Sequence, residues 1–162
     1  MSFGWAAHEI GHAIHWIARH PGDVPYVDVH RVGNEARVEP HIKCDLSELG
    51  MTPLINFAAG SLGERVHAGE INAIERLIDE TDNWVQAIFD TPHYSDHDWQ
   101  SFKTIIVNTP GFPVKEFAEE LVTAEQLIQK YLPYVDVAAF QRKLERDGHF
   151  RFEVHDLKKT LH

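Results

Sequence analysis

The sequence predicts an α+β protein, mostly α-helical, with one small β-sheet near its N-terminal end. Three observations carry that expectation. Apolar residues recur at helical spacing in several long stretches punctuated by proline and glycine. One short segment, residues 26–39, alternates instead, apolar against polar. A chain of 162 residues with 43% hydrophobic content is long enough for one domain with a real core and too short to expect two, so residues 1–162 are read as a single domain.

The elements follow in order. From Phe3 to about Arg19, Ala7, Ile10, Ile14 and Ile17 keep helical spacing, with Ser2 as a cap and Pro21-Gly22 just past the end. Val27 and Val29, then Ala36 and Val38, alternate with polar partners around Gly33-Asn34, which is the pattern of a hairpin with one wet face. Thr52-Pro53 reads as a cap and first-turn proline, and the helix it opens runs from Leu54 to Ala68 and ends at Gly69. Ala58, Ala59, Gly60 and Gly63 give this helix a small-residue surface that lets another helix approach closely, and the first helix is the expected partner. Residues 70–90 read as helix broken near Thr81-Asp82, and Thr91 to Tyr94 as a loop before a new start at Ser95. Further helices are expected over Asp96 to about Val107, Pro113 to Leu132, and Asp136 to Arg146, the last closed by Asp147-Gly148. Phe150 to Leu161 reads as extended chain and then a short helix.

Composition excludes several function classes. A net charge of -10, from 25 acidic and 15 basic side chains without a dense basic patch, disfavours nucleic acid and anionic membranes as partners. The single cysteine, Cys44, excludes an internal disulfide and a multi-cysteine zinc site, and is most simply a small apolar residue. The N-terminal residues lack the basic start of a secretory signal, and no apolar run approaches the roughly 20 residues needed to span a bilayer. The expectation is a soluble, cytoplasmic protein.

Residues 8–12 read His8-Glu9-Ile10-Gly11-His12, an H-E-x-x-H arrangement. Residues four apart share one helix face, so the rings of His8 and His12 can converge on one ion, and Glu9 can reach a water bound to it. A catalytic zinc takes three protein ligands and keeps a fourth position open, so a third ligand is required. The metzincin continuation needs a glycine three residues and a histidine six residues after the second histidine; His15 and Ala18 stand there. An upstream cysteine, as in peptide deformylases, is absent because Cys44 lies downstream.

Ala7 to Ala13 resembles the A-x-H-E-A-G-H-A segment of the FtsH-type ATP-dependent zinc metalloproteases, and further blocks follow in that family's order. Val27 to Val38 looks like the strand pair after its zinc helix, Ala59-Gly60-Ser61-Leu62-Gly63-Glu64-Arg65 is similar to its G-G-R-A-A-E-E helix, and Ser95-Asp96-His97-Asp98-Trp99 resembles the stretch that carries its third zinc ligand. Leu144 to Leu157 weakly resembles its closing segment. Ser61 and Arg65 depart from the pattern, and no Walker-type phosphate loop accompanies it. The resemblance implies a zincin-like peptidase domain standing without ATPase and membrane parts, with His8, His12 and Asp98 as zinc ligands, Asp96 as the alternative third ligand, and Glu9 as general base. A helix starting at Ser95 would equally place Asp98 where a carboxylate stabilises the first turn without any metal.

His15 and His20 are expected at the surface or helix end, His93 and His97 as loop side chains near the third ligand, and Trp5, Trp16 and Trp99 in core or pocket wall. Glu64 either orients a ligating imidazole or is an ordinary exposed glutamate. The expected function is zinc-dependent hydrolysis of peptide bonds in flexible proteins or peptides, with substrate added as a strand beside Val27 to Val32 or Ala36 to Val38, and a separate partner able to deliver it. The alternatives are an inactive peptidase-like binding or adaptor protein, or a zinc hydrolase of a non-peptide amide.

Overall fold

A computed structural model describes residues 5–85 and 97–158 of the chain. It is mostly helical with one three-stranded antiparallel sheet, as the α+β reading expects. Helix α1 (Trp5–Arg19) is central. Ala6, Ala7, Ile10, Ala13, Ile14 and Ile17 are all buried, and so are residues on its remaining faces, so the helix is covered nearly all round rather than along one stripe. It ends at Arg19, and Gly22 takes a left-handed conformation (φ 96°) in the turn toward the sheet.

Strands β1 (Tyr26–Val32) and β2 (Glu35–Pro40) form the expected hairpin. Gly33 supplies the positive φ of 63° that the tight turn needs. The C-terminal strand β3 (His149–Glu153) pairs antiparallel with the other side of β1, giving the order β2-β1-β3. Val27, Val29, Phe150 and Phe152 are buried on the inner face, which meets α1, whereas Asp28, His30, His149 and Arg151 lie on the outer face. With β1 in the middle, Val27 to Val32 cannot receive an added strand; only Ala36 to Val38 on β2 keeps that possibility. This corrects one of the two expected docking strands.

Helix α2 (Thr52–His67) lies antiparallel across α1, since Thr52 meets His20 at one end and Gly63 meets Ala7 and Gly11 at the other. A Cβ at Gly11 would fall 2.9 Å from the Gly63 Cα, and one at Gly63 would fall 2.9 Å from the Gly11 Cα. Two glycines facing each other set the spacing of the two helices, and the small-residue surface meets the partner expected for it. The expected cap is displaced by one residue: Met51 is the N-cap, and the Thr52 hydroxyl is instead 2.6 Å from His20 Nε2.

Helix α3 (Ala73–Glu80) stops at extended Thr81, where the break was expected. Its start is clamped from another helix: Glu125 accepts from the amides of Ile74 (2.8 Å) and Glu75 (3.2 Å), and Gln129 bonds Asn72. Helices α4 (His97–Asn108) and α5 (Val114–Tyr131) both pack on α2, and α5 also covers α1. Helix α6 (Val137–Asp147) is capped by Asp136, which accepts from the Ala139 amide, and closed by left-handed Gly148. That closure turns the chain directly into β3, and a short helix α7 (Val154–Lys158) follows. Among the described residues no helix is long and apolar enough to cross a membrane.

Candidate metal centre

On α1, His8 and His12 are one turn apart, and their Nε2 atoms lie 3.3 Å from each other. Their outer nitrogens are both met from α2. His12 Nδ1 is 3.0 Å from Asn56 Oδ1, and His8 Nδ1 is 3.4 Å from Glu64 Oε2. The orientation of Asn56 follows from its second contact. Its Nδ2 donates to the His12 carbonyl (3.1 Å), which can only accept, so its oxygen is the atom that faces the His12 ring. His12 Nδ1 therefore carries the proton, and Nε2 presents its lone pair. A carboxylate beside Nδ1 favours the same tautomer in His8.

Two imidazole nitrogens this close are bridged either by a hydrogen of one ring or by a metal ion. The distance suits a metal. Nitrogens about 2.0–2.1 Å from one tetrahedral zinc are separated by roughly 3.3–3.4 Å. Room is provided by Gly60 on α2, where a Cβ would sit 2.5 Å from His12 Nε2 and would also strike His8 Nε2. Thr52, Asn56, Gly60 and Glu64 recur every four residues, so one face of α2 supplies a helix-end contact, an imidazole acceptor, an empty position and a carboxylate in turn.

Glu9 is buried with 8% exposure, and its Oε1 lies 4.0 Å from His8 Nε2. His8, Glu9, His12 and Asn56 form one end of a cavity of about 320 Å³ whose other walls are Trp16, Pro53, Phe57 and the inner face of β2, Ala36, Val38 and Pro40. Trp16 is thus pocket wall, as expected. The edge strand and the histidine pair open onto the same space.

His15 departs from expectation. It is fully buried, with Nδ1 accepting from Asn56 Nδ2 at 2.9 Å, so one asparagine joins both histidines. The other elements cover α1 on nearly every face, which leaves His15 no solvent to face. Burial first, and then the neighbouring His12 and Arg19, lower the His15 pKa to about 3, which keeps the ring neutral. Its Nε2 is buried and has no hydrogen-bond partner among the described residues. His20 does lie at the helix end, half-buried, with its pKa lowered chiefly by burial.

Asp98 belongs to α4, which packs on α2, but its side chain lies outside the described residues, as do Asp96, His93 and the side chains of Trp5, His97 and Trp99. Asn56 went unnoticed in the sequence. The signal available for it was the four-residue repeat of Thr52, Asn56, Gly60 and Glu64 opposite the histidine helix. No protein-family model and no curated protein sequence matches the chain.

Proposed function

We propose that the protein is a zinc-dependent peptidase with an FtsH-type, zincin-like domain, which cuts flexible polypeptide and works in the cytoplasm. One observation carries the reading: two imidazoles with their outer nitrogens engaged from α2 bring their Nε2 atoms within 3.3 Å of each other, with a buried carboxylate beside them. His8 and His12 would hold zinc, with Asp98 as third ligand and Asp96 as its alternative. When bound, zinc supplies Lewis acidity to an amide carbonyl and lowers the pKa of water to about 7.

The chain's own residues do the rest. Glu9 accepts a proton from the attacking water and returns it to the departing amine nitrogen, a general-base and general-acid role that its position next to the ligand pair allows. Strand β2, at the sheet edge, offers backbone groups to an extended segment of substrate. Its inward residues Ala36, Val38 and Pro40, together with Trp16 and Phe57, enclose a substrate side chain and keep water from the reacting amide. Folded proteins seldom present extended segments, which is why flexible polypeptide is the substrate proposed.

The test compares the wild type with Glu9→Gln and His12→Ala, each purified without chelator, for zinc per chain and for cleavage of an unstructured protein. Glu9→Gln is expected to keep the metal and lose turnover, and His12→Ala to lose both. Full activity in Glu9→Gln would remove the proposed mechanism. Zinc without any Glu9-dependent cleavage would favour a binding protein built on the same site.

A further inference from the structure

We propose that the outer face of the sheet holds a second metal site, open to solvent, in which Asp28, His30 and His149 bind a divalent transition ion such as zinc and clip the C-terminal strand to the hairpin. None of these residues belongs to the helix site, so the proposal stands or falls separately from the peptidase reading.

The register brings the donors together. His30 on β1 and His149 on β3 are direct cross-strand partners, and their ring centroids are 4.8 Å apart. Asp28 lies two residues along β1 on the same face, with Oδ1 3.3 Å from His149 Nε2. One ligand atom from each of the three residues falls within 4.8 Å of the others. Glu39, the partner of Asp28 on β2, has Oε2 3.8 Å from His30 Nε2 and can act as a fourth donor. Imidazole nitrogen and carboxylate oxygen are the donor set that zinc and its neighbours in the transition series accept.

The rings are nearly stacked, with 28° between their planes, and must turn about χ2 to aim at one ion. Both side chains are exposed enough to do so, at 40% and 44%. The main competitor is Arg151, which donates to both Asp28 oxygens at 2.8 and 3.1 Å. Those bonds hold the Asp28 carboxyl below the usual carboxylate range. The pair is bidentate, so an ion has to displace a formed contact, and Arg151, 3.9 Å from the centre of the Tyr26 ring, retains a resting place when Asp28 turns to an ion.

Arginine in that position makes the proposal sharply testable. Removing a competing cation must tighten binding of a second cation, the reverse of what loss of a structural salt bridge does to stability. Zinc is titrated into metal-free wild type, His30→Ala/His149→Ala and Arg151→Gln, and binding is followed by competition with a chromophoric chelator and by the zinc-induced rise in Tm. The double variant is expected to bind one ion fewer than wild type and to lose part of the Tm rise. Its substitutions lie on the exposed face, and unchanged circular dichroism verifies the fold. Arg151→Gln is expected to bind the sheet ion several-fold more tightly. The same titration in His8→Ala/His12→Ala is expected to retain one ion; if that variant does not fold, the sheet variants decide alone. Identical zinc stoichiometry in wild type and His30→Ala/His149→Ala would overturn the proposal, and so would weaker binding in Arg151→Gln.

Discussion

Asn56 does more at the proposed centre than its side chain suggests. By turning its nitrogen to the His12 carbonyl and its oxygen to the His12 ring, it selects the tautomer that aims Nε2 at His8. Asn56→Leu keeps the approximate volume and removes that selection, so zinc affinity should fall about 10–100-fold, the usual cost of losing a partner that orients a ligating imidazole. Chelator competition measures this, and unaltered affinity would remove Asn56 from the site. Gly60→Ala acts differently, because its methyl group enters the space between the two Nε2 atoms. It should abolish high-affinity zinc binding while the helices still form. His8, Glu9 and His12 were legible in the sequence because a helix makes four-residue spacing a statement about geometry. His15 was not, since a helix buried on nearly all sides carries no polar stripe to mark which way its residues face, and Asn56 was marked only by the four-residue repeat of α2.

Among the elements, the crossing of α1 over α2 depends on backbone touching backbone. Alanine raises helix propensity by up to about 1 kcal/mol over glycine, so Gly63→Ala would stabilise an isolated helix. Here the new methyl would lie 2.5 Å from the Ala7 carbonyl oxygen and 2.9 Å from the Gly11 Cα, neither of which can rotate aside. The clash should prevail, with a net loss of about 1–3 kcal/mol in denaturant titrations. The helices and the hairpin were readable because proline, glycine and a switch from helical to alternating periodicity mark their ends locally. The pairing of β3 with β1 was not readable. His149–Glu153 is a five-residue strand whose partner is fixed by how α6 returns the chain to the sheet, and that is a property of packing rather than of the segment. Its extended character was expected, and its neighbour was not.

For the whole molecule, the buried neutral His15 sets a pH dependence. Its pKa is about 3 in the folded protein against an ordinary 6.5, so below pH 6.5 the unfolded chain takes up a proton that the folded one refuses. Stability is therefore present above pH 6.5 and is lost as pH falls, by about 1.4 kcal/mol per unit, or about 2 kcal/mol by pH 5. Glu125 acts in the opposite sense, because burial raises its pKa and protonation relieves it. His15→Leu separates the two. Its lost bond to Asn56 lowers stability by an amount that does not change with pH, and the acid slope between pH 6.5 and 5 should become shallower; an unchanged slope would mean that His15 protonates freely in the fold. The stripe of Thr52, Asn56, Gly60 and Glu64 has a consequence for how the protein matures. The two histidines come from one helix, but the groups that orient them arrive only when a second helix, separated from the first by the whole hairpin, has docked. A chain with α1 formed and α2 astray would offer the same two nitrogens in mixed tautomers and hold zinc poorly. If the proposed centre binds zinc, metal uptake would then report the completion of tertiary structure rather than of the helix that bears His8 and His12.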